Sequence, residues 1–464
     1  MVARHYLVGG TLIDGTGAAP RPLHWLAMEG DRIAHIEAGE GPGAPLPPDA
    51  EVVENAAGKT VMPGLVDAHC HISYGVARGI EEQDLFASAE YRAIRGVYHA
   101  RTVLQSGVTS FSDPGGSWFV AVAVRNAIKA GLFPGPRISA AARYLSTHAA
   151  LTDYFPSWVG TPRSGVGALT EGESQMVNEV RDQVKNGVDF IKIAASGESS
   201  ILTPGGGSVP AFNAAELKVI VQEAHRLGRR VTAHARSGQS VMDCVDAGID
   251  WIMHADFMNP QQADRLAESG IPCCPALTFT ANVADWGHIA GCSQARIDRF
   301  KRDLEKAVTN LTYAHRNGVT MMCGTDSGFA VTPYGEWHAR ELELFVTLLG
   351  MSPLEAITCG TRNASITVDG ENTGTLQTGK FADLLVVDGD PLADIRILQD
   401  RSKLSAIYLG GQAVDRTPQP PMQRWPWERS LQISERELYQ HTVRHRARRR
   451  LTSHRPTTPQ ETTP

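Results

Sequence analysis

Long apolar runs are missing from this chain of 464 residues. A membrane-spanning helix needs about 18 or more consecutive apolar residues, and no such stretch occurs. The opening segment Met1–Gly10 turns to glycine before any secretory apolar region develops, so a leader peptide is not expected. Cysteine is scarce, with 7 residues in an odd set, and only Cys273 and Cys274 are adjacent. The Cys-x-x-Cys spacing of metal ribbons and redox motifs is absent, which points to reduced thiols and a cytoplasmic setting. An excess of basic residues is lacking too: Lys+Arg 44 against Asp+Glu 50 gives a net charge of -6, without the electrostatic footprint of a nucleic-acid binder. Composition excludes collagen, coiled coil and disulfide-knot classes, and the chain has no internal repeat. A hydrophobic content of 42% with 20% charged residues argues against wholesale disorder.

What is present is an alternation of short apolar strand candidates with helical patterns. Eight candidates stand out: residues 64–71, 107–112, 137–145, 188–194, 230–235, 250–254, 271–279 and 319–325. Helical periodicity over 213–227, 260–269 and 295–317 separates several of them, as a parallel β/α array requires. Eight units in about 300 residues suit a (β/α)8 TIM barrel over residues 61–365. A doubly wound open sheet is the structural alternative. Strand patterns also occur at both ends, at 6–8 and 32–36 and again at 381–387 and 404–409. These predict a small β-sandwich domain formed from residues 1–60 and 366–415. Residues 416–464 read as a C-terminal arm: Pro418–Pro421 and Trp425–Trp427 look extended, 434–439 begins a helical pattern, and 444–450 is a basic run. A solvated arm or a contact with a second subunit fits that composition better than nucleic-acid binding.

The densest chemistry lies at the ends of the strand candidates. In Pro63-Gly64-Leu65-Val66-Asp67-Ala68-His69-Cys70-His71, residues two apart on a strand face the same way, so His69 and His71 point together. Two imidazoles on one face grip a borderline divalent ion, although hydrogen-bonded structural histidines have the same spacing. Lys192 interrupts the apolar strand Phe190-Ile191-Lys192-Ile193-Ala194. A buried ammonium is costly unless paired or neutralised, so the lysine is either ion-paired or chemically employed. His234 and His254 each end an apolar strand, and Asp326 follows the last one before a glycine turn. Alone, each has an ordinary structural explanation. Together they occupy the strand ends at which a barrel builds its site.

This ordering, with Pro63–Asp67 before the histidine pair and the stretch Gly374–Pro391, resembles the metal-dependent amidohydrolase superfamily in its binuclear subtype. The resemblance covers residues 1 to about 412. It implies His69, His71 and Asp326 on one metal, His234 and His254 on another, and Lys192 carboxylated by carbon dioxide bridging the two. The ions, zinc, cobalt or manganese, would activate a hydroxide that attacks the substrate carbonyl, with Asp326 as general base and then general acid. A mononuclear deaminase is the chemical competitor, and such enzymes lack the bridging lysine. A barrel that has lost catalysis and serves as a scaffold is the non-enzymatic one, disfavoured by the competence of all six residues.

Within the superfamily the texture is similar to the imidazolonepropionase and Xaa-Pro dipeptidase-like branch, which includes a mycotoxin amidase and the molinate and phenylurea hydrolases. The segments Phe190–Gly197 and Arg340–Leu344 carry that likeness. The turn Arg143–Ala150 departs from the branch's glycine- and histidine-rich pattern, so the dipeptide specificity of the branch is not carried over from it. Aromatic residues crowd the loops, among them Trp118, Tyr154, Phe279, Trp286, Phe329 and Trp337. An apolar pocket follows, of the kind that binds small molecules. Tyr144 and His148 are candidate donors to the carbonyl oxygen, Arg236 a candidate cation for a substrate carboxylate, and Trp286 a candidate wall. The expected activity is hydrolysis of a small hydrophobic amide, carbamate, thiocarbamate or urea by a homo-oligomer. Cleavage of dipeptides or N-acyl amino acids is the alternative.

Overall fold

The computed structural model describes residues 4–148, 150–198, 209–423, 433–434 and 436–444. Strands from both ends of the chain share one nine-stranded sheet. Its centre is Thr60–Pro63, which pairs antiparallel with Leu384–Val387 and parallel with Thr11–Leu12. The amino-terminal side adds Arg21–Glu29, Arg32–Ala38, Arg4–Val8 and Glu51–Asn55, and the carboxyl-terminal side adds Leu404–Leu409 and Gln412–Ala413. The sheet closes over one apolar cluster containing Leu7, Leu26, Ile33, Val61, Leu384, Val386 and Tyr408. Leu23 and the buried run Leu26–Met28, with the fully apolar Leu384–Val387, supply that face.

Between these ends, parallel strands alternate with helices. Leu65–Asp67, Val108–Asp113 and Arg137–Ala140 form one parallel arc, and Tyr144–Ser146, Phe190–Ala194, Arg230–Ser237, Trp251–Phe257 and Cys273–Cys274 form a second. The expected third strand, 137–145, is one run of chain broken into two pieces, and it joins the arcs. Its first piece pairs with Val108–Asp113, while Leu145 pairs with Ile193 and Asp189 N donates to Ala140 O at 2.8 Å. Gly167–Leu169 is an additional edge strand beside Tyr144–Ser146.

The expected strand at 271–279 is cut to Cys273–Cys274 because a helix begins at Leu277. The buried Glu341 carboxylate accepts hydrogen bonds from Leu277 N, Thr278 N and Thr278 Oγ1, satisfying the free N–H groups of that helix start. The segment expected as a strand at 319–325 is not a regular strand. It nevertheless bonds on both sides: Cys273 N donates to Thr320 O at 2.9 Å, Met322 N to Cys273 O at 2.8 Å, and Ala68 N to Cys323 O at 2.9 Å. The last of these bonds returns to the first arc.

Helices begin where side chains cap them. Asn213 with Glu216 and Asn259 with Gln262 form reciprocal capping boxes, and Pro260 opens the helix Pro260–Ser269. No helix among the described residues is long and apolar enough to cross a membrane. Residues 440–444 are helical, whereas 436–439 are not. Arg436 N and Leu438 N donate instead to Ala290 O and Ala330 O, which draws that backbone away from helical pairing. Trp425–Trp427 and residues 445–450 of the basic run lie outside the described residues.

Candidate active site

His69 and His71 leave the carboxyl end of Leu65–Asp67, wedged between two neighbours by Cys70 N donating to Ser112 O and His71 N donating to Ser327 O. Their rings converge as the two-residue spacing predicts: the Nε2 atoms lie 3.0 Å apart. Asp326 Oδ1 is 3.1 Å from His71 Nε2 and 3.5 Å from His69 Nε2. One ligand atom from each of the three lies within 4.8 Å of the others. His234 and His254 stand beside them, with ring centroids 4.6 Å apart and His254 5.2 Å from His69.

Lys192 belongs to the same cluster. It is fully buried, and its Nζ meets Met253 Sδ at 2.7 Å. A thioether is a weak acceptor and carries no compensating charge. Burial accordingly pushes the amine from an ordinary 10.5 down to about 7, against the pull of the Asp326 carboxylate. Burial also drives His69, His234 and His254 well below the usual histidine range, leaving neutral imidazoles with lone pairs to offer. For Asp326, burial opposes the charge, but the adjacent His69 and His71 outweigh it and hold the carboxyl well below its ordinary range.

Backbone strain marks two of these positions. His254 has φ +73° and Asp326 φ +53°, both in the left-handed region that non-glycine residues seldom enter. At His254 the consequence is visible. Successive residues on a regular strand face opposite ways, yet Met253 touches Lys192 and His254 packs on His69 and His234.

A surrounding shell orients the ligands. His71 Nδ1–H donates to Gly115 O at 2.6 Å, which fixes the orientation of the ring. Tyr334 Oη donates to His71 O at 2.5 Å, and Tyr74 stacks on the His71 ring at 4.4 Å. Asp67 ties strand ends together, accepting from His69 N at 2.9 Å, Thr325 N at 3.1 Å and Thr325 Oγ1 at 2.5 Å. His338 Nε2 accepts from Gly335 N, so its Nδ1 bears the proton donated to Asp67 Oδ2 at 2.6 Å. Asp67 lies two residues before His69, a spacing that could have exposed its role; His338 has no comparable sequence signal.

The second-rank candidates divide. Tyr144 Oη is 3.2 Å from His71 Nε2 and bonded to Tyr74 Oη, and burial raises its pKa so that it remains a donor. Arg236 also lines the cavity, two residues after His234, but its guanidinium is engaged by Glu198 at 2.8 Å and by Asp256. His148 does not reach the site: its side chain is 55% exposed and pairs with Asp153 and Glu171. Trp286 does not line the cavity either. It lies seven residues, about 10 Å of helix, beyond Phe279 and stacks on Trp337 and Arg340 instead.

All six predicted ligands line one cavity of about 60 Å³, walled by Tyr74, Tyr144, Leu151, Tyr154, Phe279, Phe329 and Ile433. A separate, larger cavity of about 1060 Å³ lies at the amino ends of the strands, beside Arg137, Asp189 and Arg230, and contains none of the six.

Converging neutral nitrogens, an ionised carboxylate and a buried amine whose hydrogen-bond partner among the described residues is a thioether suit divalent cations of borderline hardness. The amidohydrolase family profile matches residues 60–414, and the chain belongs to that family, whose members generally use divalent metals. The chain is therefore a hydrolytic enzyme. Ochratoxinase of Aspergillus niger is 29% identical over 378 residues, covering 76% of this chain and 75% of the relative. A crystal structure of a Xaa-Pro dipeptidase with bound methionine superposes with a TM-score of 0.76 at 25% identity, over 89% of this chain and 99% of that one. The molinate hydrolase structure, at 22% identity, shares the fold with a TM-score of 0.74 over 94% of this chain and 99% of the other.

Proposed function

We propose that this enzyme hydrolyses a small, largely hydrophobic amide, carbamate, thiocarbamate or urea. The observation that carries the substrate class is the cavity wall: aromatic and aliphatic side chains surround the ligand cluster, and Arg236, the cation within it, is already paired with Glu198 and Asp256. The strands of residues 61–365 are read as a closed (β/α)8 barrel, with the sheet from both chain ends as a small β-sandwich domain beside it.

His69, His71 and Asp326 would hold one divalent ion, and His234 and His254 a second. Lys192 would bridge them as a carbamate: its nitrogen adds to the carbon of carbon dioxide and releases a proton to water. Bound there, the ions would supply Lewis acidity toward the scissile carbonyl and a water acidified to react at neutral pH. The chain's residues do the rest. Asp326 accepts the proton of the attacking water as its oxygen adds to the carbonyl carbon, then delivers it to the nitrogen or sulfur as the bond to carbon breaks. Tyr144 Oη donates to the carbonyl oxygen as negative charge develops there. The aromatic wall excludes bulk water.

A second reading, hydrolysis of dipeptides or N-acyl amino acids, is favoured by the presence of Arg236 in the cavity. The decisive experiment measures metal content per chain by elemental mass spectrometry. It then follows loss and recovery of turnover on chelation and refilling, against matched neutral and carboxylate-bearing substrates. Two ions per chain with turnover of the neutral set is the expected result. Activity confined to carboxylate-bearing substrates would establish the second reading, and one ion per chain would remove Lys192 from the centre.

A further inference from the structure

The family match ends at residue 414, yet one wall of the candidate site comes from beyond it. Ile433 lines the same cavity as His71, Tyr144 and Asp326. Its backbone is held on both sides: Ile433 N donates to Arg78 O, and Ile433 O accepts from Cys292 Sγ and from Arg296, each at 3.1 Å. The side chain packs against the apolar group that includes Phe279 and Phe329. Farther along, Leu438 anchors the arm. It is fully buried with Ile289, Trp337 and Val443, its N–H donates to Ala330 O at 2.7 Å, and its carbonyl accepts from Trp337 Nε1 at 2.6 Å. Residues 436–439 form no regular secondary structure, so docking rather than helical pairing fixes this part of the arm.

We propose that Ile433 is a specificity-determining residue, setting with Phe279 and Phe329 the size of the apolar group a substrate places beside the metal ligands. The proposal rests on the reading of the site as a hydrolase of small neutral substrates. Phe279 and Phe329 are locked edge-to-face at 5.1 Å, and shortening either would open the packing of the barrel loops. Ile433 stands at the margin of that group, where a change of side-chain length alters the free space of a cavity of only about 60 Å³.

The test compares wild type, Ile433→Ala and Ile433→Trp, each loaded with metal, on anilides whose acyl groups grow from acetyl to butanoyl to benzoyl. Ile433→Ala is expected to raise the benzoyl-to-acetyl ratio of kcat/KM by about tenfold or more, and Ile433→Trp to lower it. Metal content should remain equal in all three. An identical ratio in the three enzymes overturns the proposal. If none of them turns over any anilide, the amide branch of the proposed function fails separately, and size preference is read from calorimetric binding of the same anilides. A shift toward larger ligands in Ile433→Ala then supports the wall, whereas an unchanged order or no binding refutes it.

Discussion

Replacing Lys192 by methionine should make the metal-free protein more stable while destroying its metal centre. The side chain is fully buried, and among the described residues its amine hydrogen-bonds only the Met253 thioether, at 2.7 Å. Burial lowers its pKa from 10.5 to about 7, and each pH unit corresponds to about 1.4 kcal/mol. The folded metal-free protein therefore carries a penalty of at most about 5 kcal/mol at neutral pH, relieved by an apolar side chain of similar length. The sign follows from proton counts. Between pH 7 and 10.5 the unfolded chain keeps the lysine proton and the folded chain releases it, so wild-type stability rises with pH across that window. The advantage of Lys192→Met should be greatest at pH 7 and below, and vanish by about pH 10.5. Denaturant unfolding of chelated protein at several pH values measures the difference, and elemental analysis after refilling measures the loss of metal. A variant that is no more stable than wild type at pH 7, or that still binds two ions and turns over substrate, would refute the argument.

Asp326→Asn should retain the fold and lower kcat by about 10²–10⁴-fold, as expected for loss of a positioned proton acceptor; unchanged turnover would remove Asp326 from the proton path. His338→Phe takes the donor from Asp67 without touching a ligand, and should weaken metal affinity by about 10–100-fold in a chelator competition. Equal affinity would make that hydrogen bond merely structural. Arg236→Met removes the guanidinium paired with the buried Asp256 carboxylate and should cost about 3–5 kcal/mol in denaturant unfolding. Wild-type stability in that variant would show the ion pairs to be dispensable.

The six candidates stood out in sequence because His69 and His71 alternate on a strand, His234, His254 and Asp326 close apolar runs and Lys192 interrupts one, while their ligand roles came from the family resemblance. Arg236 was named as a cation close after His234, and it lines the cavity, but its engagement by Glu198 and Asp256 had no sequence signal. Loop residues lacked such a constraint. His148 lies in a turn whose direction depends on Asp153 and Glu171, and Trp286 shares a helix with Phe279 but stands too far along its axis. The seventh strand was overextended because its end is set by Glu341, a residue more than sixty positions away in sequence. Ile433 had no local signal at all, since its contacts with Arg78, Cys292 and Arg296 are created by the folded chain.

The central strand of the shared sheet also constrains the order in which the protein can be made. Thr60–Pro63 leads directly into the strand that precedes His69, but one of its two partners, Leu384–Val387, is encoded far downstream. At roughly 5–20 residues per second, translation takes about 15–65 s to supply that partner. Throughout that interval the apolar edge next to the first metal ligands stands open on the ribosome. The shared sheet can be completed only in the closing moments of synthesis, so until then its unpaired edge is open to mispairing.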